Sequence, residues 1–210
     1  MNQRQAGMAR ARQEIVEAAG AEFAAHGYEG TSFSGVAAAM NKPKSAIGYH
    51  LFPSKHSLAV AVIADQQARW QRFDDAIPAS RGVEKLATML LSSALNAHEC
   101  PIAAGSIRLL HELRRADIDV PDGYDWYRFA REQIEAELDG SRSSPLGDSE
   151  AAAQLVINAT FGVLGALPTP GGPGVEARLK ALWVPLFQSI GIADAESVVS
   201  GITPLASEKH

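Results

Sequence analysis

Lys44, Ser45 and Ala46 follow directly on Pro43, with Tyr49 and His50 about one turn further along. Side chains at the start of a helix docked in the major groove are the ones that meet base edges. An ammonium, a hydroxyl and a methyl there, with a phenol and an imidazole one turn later, have the chemistry of base readout. Thr31 and Ser32 precede one apolar-periodic segment and Lys55 opens another. Hydroxyls, an ammonium and the free N–H groups of a helix start suit phosphate oxygens. Arg10 and Arg12, near the beginning of the first helical segment, are placed to reach the DNA backbone or minor groove. Each residue also has a plain structural role open to it: Thr31 or Ser32 as a helix cap, Tyr49 in packing, Lys55 as a solvated charge.

The elements that must position these side chains are helices. Ile15, Ala18, Ala19 and Phe23 recur at threes and fours, predicting a helix over 9–26 that Gly27 stops. A second helix is expected over 33–40 with Val36 and Met40 inward, and a short third from Lys44 to about His50 after Pro43. Pro53-Ser54 opens a long fourth, in which Ala59, Val62, Ile63, Gln66, Trp70 and Phe73 keep helical spacing up to Ile77. Three short helices with a tight turn between the second and third make a helix-turn-helix headpiece, assigned to residues 1–55.

Residues 56–210 read as a larger helical body. Helices are expected over 83–98, 103–113 after a break at Pro101, 122–138 opened by Asp122 and Asp125, 148–167 and 175–190, the last bent at Pro185. The helix over 148–167 has almost no solvated side. Val156, Thr160 and Val163 line one face, and Leu155, Asn158, Gly162 and Gly165 another. With Leu179, Leu182, Leu186 and Phe187 of the following helix, it is the expected homodimer interface, a four-helix arrangement with twofold symmetry. No alternating strand of useful length appears, so the fold class is all-α, with nine or ten helices.

Composition sets the limits. The 210 residues carry a net charge of −5, yet the first 60 hold six basic against four acidic side chains and the remainder holds 13 against 20. A mildly basic head on an acidic body suits a polyanion partner for the head alone. No run approaches about 18 apolar residues, and the start Met1-Asn2-Gln3-Arg4 is polar, so neither a membrane span nor export is expected. A single cysteine, Cys100, fits a reducing compartment, and the expected location is the cytoplasm.

Catalysis finds little support. The sequence has no GxSxG, HExxH or glycine-rich phosphate loop. His98, Cys100 and His111 are the residues an all-α enzyme would use. His98 continues an apolar face and Cys100 sits at a helix break, so a packed histidine and an inert buried thiol are expected, with no catalytic residue, metal or cofactor. Trp126, Tyr127 and Phe129 read equally as core or as a pocket wall. A mainly apolar pocket is expected between the helices over 83–98, 103–113 and 122–138, walled by Leu86, Leu90, Ile107, Leu110, Trp126 and Phe129. Tyr127, Gln133 or Arg128 would be its polar donor, and the fourth helix the link to the headpiece.

Ile15, Ala19, Phe23, Gly27-Tyr28, Thr31-Ser32, Val36-Ala37, Tyr49, Phe52 and Ser54-Lys55 resemble the N-terminal signature of the tetracycline-repressor (TetR) family of transcriptional regulators. The resemblance covers about residues 10–58. From Val36 to Tyr49 this chain is one residue longer than the usual pattern, and Leu51 stands where a histidine is common. Gly30-Thr31-Ser32-Phe33-Ser34, Phe52-Pro53-Ser54-Lys55, the segment 103–113, Trp126 and Phe161-Gly162-Val163 are similar to the γ-butyrolactone-receptor subgroup. That resemblance implies a repressor of antibiotic or secondary-metabolite genes, bound as a homodimer to a pseudo-palindromic double-stranded operator. A butyrolactone, butenolide or furan-type signal would release it, with Trp126 lining the ligand pocket. The alternative within the family is a regulator of efflux or catabolic genes that answers to a drug or metabolite.

Overall fold

The structure, a computed structural model, describes residues 3–47, 51–77, 82–120, 122–138, 143–144, 147–165 and 172–205. Nine α-helices occur among them: α1 (Gln3–Gly30), α2 (Phe33–Ala39), α3 (Lys55–Ala76), α4 (Val83–Glu99), α5 (Pro101–Arg115), α6 (Trp126–Glu137), α7 (Ser149–Gly165), α8 (Val175–Ser189) and α9 (Ala195–Gly201). Lys44–Ala46 forms a single 3₁₀ turn, and Ser143–Ser144 pairs with Gly147–Asp148 in a two-residue antiparallel bridge. The chain is all-α, as its periodicity requires.

Several boundaries differ from the sequence reading for identifiable reasons. Gly27 does interrupt the helix, with φ 70° and ψ −177°, a backbone conformation open essentially to glycine alone, but helical structure resumes for one turn to Gly30. Pro101 does not precede its helix; it is the first residue of α5, where its missing N–H costs no hydrogen bond. Asp125 alone caps α6, its carboxylate accepting the Arg128 N–H at 2.9 Å. Helix α9 lies beyond the expected helices; Ile192, Ala195, Val199 and Ile202 follow helical spacing and are all buried.

Contacts divide the chain into two compact units, one of Met1–Trp70 with Ala97–Gly123 and one of Gln71–Asn96 with Tyr124–His210. In the first unit, the core is built on Ile15, Ala19 and Phe23 of α1, Val36 of α2, Leu58 and Ile63 of α3, and Ile102 and Leu109 of α5. Its defining contact is the crossing of α1 with α5. A Cβ at Gly20 would lie 2.7 Å from the Ile102 Cα, and one at Gly105 would run into the Gly20 carbonyl oxygen. Two glycines therefore let the two backbones touch. Helices α1 and α2 thus share their core with α5 as well as with the first part of α3.

The second unit buries Trp183 completely, stacked on Phe187 with ring centroids 6.5 Å apart. Its indole N–H donates to Thr160 Oγ1 at 2.9 Å, satisfying a polar group deep in the core. Helix α6 caps α4: Gln133 Oε1 accepts the Gly82 N–H and Glu137 Oε2 the Val83 N–H, at 3.3 and 3.1 Å. The segment after α9 meets α4 at Ser92, whose Oγ accepts the Leu205 N–H at 2.9 Å.

Candidate nucleic-acid interface

The turn after α2 is made by backbone chemistry. Met40 ends the helix, the Asn41 N–H donates to the Ala38 carbonyl and the Lys42 N–H to the Ala37 carbonyl, each at 2.9 Å. That pair of bonds is a Schellman closure, which needs a left-handed residue just past the cap. Asn41 supplies it with φ 54°, a conformation asparagine tolerates better than other residues with a Cβ. The chain then turns at Pro43 and presents Lys44 and Ser45, both exposed, on the 3₁₀ turn. Ile47 anchors this turn in the core at 4% exposure. Tyr49 and His50 lie outside the described residues, and of Ala46 only the backbone is described.

Ser32 caps α2, its Oγ accepting the Gly35 N–H at 3.1 Å, and stays exposed. Thr31 turns inward instead: it is 2% exposed and its hydroxyl donates to the Gly27 carbonyl at 2.8 Å. Lys55 Nζ donates to the carbonyls of Tyr28 and Glu29 at 2.8 and 3.4 Å and lies 4.5 Å from the Tyr28 ring centroid. It ties the end of α1 to the start of α3. Arg12 lies over Phe52 at 5.0 Å, and Arg10 sits 3.9 Å from Glu14. Glu14 in turn accepts from Lys42 Nζ at 2.8 Å, and that bond, with the lysine charge behind it, holds its carboxyl below the ordinary glutamate value. Of the expected DNA contacts among the described side chains, Ser32, Lys44, Ser45, Arg10 and Arg12 are exposed.

The second unit gathers four aromatic rings. Trp126 meets Tyr124, Phe129 and Phe161 edge-on at centroid distances of 5.0, 6.3 and 6.2 Å. Leu86 and Leu90 are buried in the same unit, whereas Ile107 and Leu110 are half-buried on α5 of the first, so the expected wall of six is split between the units. The expected polar donors have other partners or positions. Tyr127 is 43% exposed with its hydroxyl donating to Asn158 Oδ1 at 2.9 Å, Gln133 caps α4, and Arg128 is exposed. The polar groups beside the rings are ones that sequence reasoning missed. Asp74 accepts from Lys85 Nζ at 2.7 Å and from the Tyr124 hydroxyl at 3.2 Å, and Lys85 lies 5.8 Å from the Phe129 centroid. Burial, then the Asp74 charge, push the Tyr124 hydroxyl far above its ordinary value, so it stays a neutral donor. As single charged residues on amphipathic helices, Asp74 and Lys85 look like solvated surface.

On α7 the inward residues are Val156, Ile157 and Thr160, while Gln154, Leu155, Asn158, Gly162 and Gly165 face solvent. The sequence holds no charge from 151 to 165. A Cβ at Gly162 or Gly165 would meet nothing within 4 Å. On α8 one part of the expectation is corrected: Leu179 and Phe187 are fully buried in the unit's own core, and Leu182 and Leu186 are only half-buried. The outward face of α8 is Ala177, Ala181, Pro185 and Gln188.

The histidine expectation is also corrected. His98 is exposed, because the α4 helix turns its last residues outward; Cys100 is buried as expected and His111 is exposed. Among the described residues no three His, Cys, Asp or Glu side chains converge as a metal site, and no helix is long and apolar enough to cross a membrane.

The family model for bacterial regulatory proteins, tetR family, matches residues 15–62. A structure solved for the molecular basis of control of antibiotic production by bacterial hormones is 27% identical, covers 91% of this chain and 92% of its own, and superposes with a TM-score of 0.62. A gamma-butyrolactone receptor, an ArpA-like protein, is 20% identical over 91% of this chain and 95% of its own, with a TM-score of 0.74. CprB of Streptomyces coelicolor, solved in complex with its biological operator sequence, is 21% identical over 91% and 94%, with a TM-score of 0.71. No curated protein matches the sequence.

Proposed function

We propose that this chain, a TetR-family regulator by its N-terminal domain and its fold, is a sequence-specific transcriptional repressor released from its operator by a small signalling molecule. The observation that carries the reading is the Asn41 turn, which ends α2 and presents exposed Lys44 and Ser45 immediately beyond it. Residues 1–55 read DNA: Lys44, Ser45 and Ala46 at the base edges, Tyr49 and His50 as the further base contacts that the sequence spacing suggests, and Ser32, Arg10 and Arg12 on phosphates. Thr31 and Lys55 serve chiefly as fasteners of the headpiece, since their polar groups are spent on the carbonyls of α1. Residues 56–210 bind the ligand and dimerise.

One headpiece reads too few bases for a genome-wide address, and a twofold dimer on a pseudo-palindrome doubles them. The uncharged outward face of α7 offers the surface for that dimer, its bare Gly162 and Gly165 admitting a second backbone. The ligand seat is centred on Trp126 and Phe129, and Leu86 and Leu90 are buried in the same unit. A butyrolactone, butenolide or furan-type signal suits aromatic walls with few polar groups. This ligand class rests on the likeness to receptors of that kind. The full chain is to be offered a random-sequence duplex library, and the selected duplexes examined for an inverted repeat. Binding should weaken steeply with salt, the logarithmic slope approaching about −0.9 per phosphate contact. A panel of butyrolactones, butenolides and furan-carboxylates should release the duplex from wild type but not from Trp126→Ala. Selection of no common duplex refutes the DNA reading; equal release from Trp126→Ala refutes the ligand seat.

A further inference from the structure

Helix α1 is broken at one place only among its described residues, and α5 occupies the break. In a continuous helix the Tyr28 N–H would donate to the Ala24 carbonyl, four residues earlier. Gly27, at φ 70° and ψ −177°, pulls that pair apart. The freed N–H of Tyr28 donates to Glu112 Oε2 at 2.6 Å, and the freed carbonyl of Ala24 accepts from Arg108 Nη1 at 2.9 Å. Arg108 and Glu112 are one turn apart on α5 and joined to each other, Nε to Oε1, at 2.7 Å. Carbonyl, guanidinium, carboxylate and amide thus form a chain of charge-assisted bonds across a gap where one backbone bond would have closed. The polarity matches at both ends, since a cation faces the carbonyl and an anion faces the N–H. Burial raises the Glu112 carboxyl, but the Tyr28 and Arg108 bonds outweigh it and leave it below the ordinary value, so it carries its charge at neutral pH.

We infer that Arg108 and Glu112 are positioning residues for DNA binding: inserted into the Ala24–Tyr28 gap they hold α1 bent, and their withdrawal lets α1 close into a continuous helix and re-aims the helix-turn-helix. The inference rests on the reading of residues 1–55 as the DNA-binding headpiece. Gly27 lies four residues before Thr31, and α2 and the reading turn extend from Thr31 and Ser32, so a change at Gly27 alters where α2 starts. The two states differ by discrete hydrogen-bond exchange, which makes the element bistable rather than gradually deformable. Gly27 is required in the bent state twice over, for its positive φ and because a Cβ would lie 2.6 Å from Glu112 Oε1 and 2.7 Å from Arg108 Nη2.

The test uses the full chain and the duplex it selects from a random library. In Arg108→Met/Glu112→Met, the backbone chemical shifts of residues 25–30 should move to continuous-helix values and affinity for that duplex should fall about tenfold, within the range usual for coupled sites. Glu112→Gln keeps the side chain's shape and an acceptor oxygen, so it folds, and it should show the same changes in smaller degree. Arg108→Glu/Glu112→Arg keeps an ion pair on α5 but turns a cation toward the N–H and an anion toward the carbonyl, and should not restore either readout. Wild-type shifts and affinity in that reversed variant reduce the pair to a surface ion pair and overturn the inference. Unchanged shifts at 25–30 in the double variant overturn it too. If the wild type selects no duplex, the DNA-binding reading falls, while the shifts still decide whether the pair holds the bend.

Discussion

Replacing Gly105 by alanine sets two opposing effects against each other. In the interior of a helix the change ordinarily stabilises by roughly 0.5–1 kcal/mol, because alanine loses less backbone freedom on folding. At Gly105, however, the new Cβ runs into the Gly20 carbonyl oxygen and also stands 3.2 Å from the Ala24 nitrogen. Those are backbone atoms of another helix, so no rotamer change relieves the overlap and α1 must move off α5. Forcing an extra carbon into a packed contact costs about 1–3 kcal/mol, and backbone against backbone belongs at the upper end of that range. Subtracting the propensity gain leaves a net loss of about 2 kcal/mol. For a chain of this length such a loss lowers Tm by roughly 4–8 °C. Gly7→Ala is the internal control, since a Cβ there meets nothing within 4 Å and it lies on the same helix α1. Thermal melts of the two variants beside wild type, followed by circular dichroism at one protein concentration, give the comparison. A Gly105→Ala protein whose Tm rises like that of Gly7→Ala refutes the close crossing as the feature that joins α5 to the headpiece.

Asn41→Gly should leave stability unchanged or slightly raised, whereas Asn41→Val should lower it by about 1–2 kcal/mol, since a β-branched residue at φ 54° is strained; urea midpoints of the two variants decide it. Trp183→Phe removes the donor to Thr160 Oγ1 and leaves a buried hydroxyl without that partner, an expected cost of about 1–3 kcal/mol read from the same midpoints. Glu14 has a lowered pKa in the folded chain, so its tie to Lys42 contributes fully above the unfolded glutamate value of 4.5 and is lost as pH falls through the lower folded value. A side-chain carboxyl titration by NMR should place Glu14 below 4.5 in wild type and return it toward 4.5 in Lys42→Met.

Local physics in the chain settled a good deal. Helical spacing of apolar residues set the all-α class and the position of most helices, because a buried stripe must recur every three or four residues whatever it packs against. Gly27 marked the break in α1, Ser32 and Asp125 their caps, and Cys100 its burial, each a property of a residue and its immediate neighbours. Periodicity says which face of a helix is apolar but not which helix covers it. It therefore grouped Leu179 and Phe187 with a dimer surface that Trp183 and its neighbours had already claimed for the core. It also read His98 as packed at a helix end that turns to solvent.

Tertiary structure decided the contacts that join distant segments. Tyr28 and Glu112 are 84 residues apart, and nothing in either neighbourhood marks the carboxylate as the acceptor for a severed helical bond. Asp74, Lys85 and Tyr124 look like solvated side chains until two helices and a loop bring them beside Trp126. Gly20 and Gly105 are ordinary weak points of their helices until the backbones cross there. A hydrogen bond or a close approach depends on positions in space to a few tenths of an ångström, and those are set by the packing of whole helices rather than by any short stretch of chain.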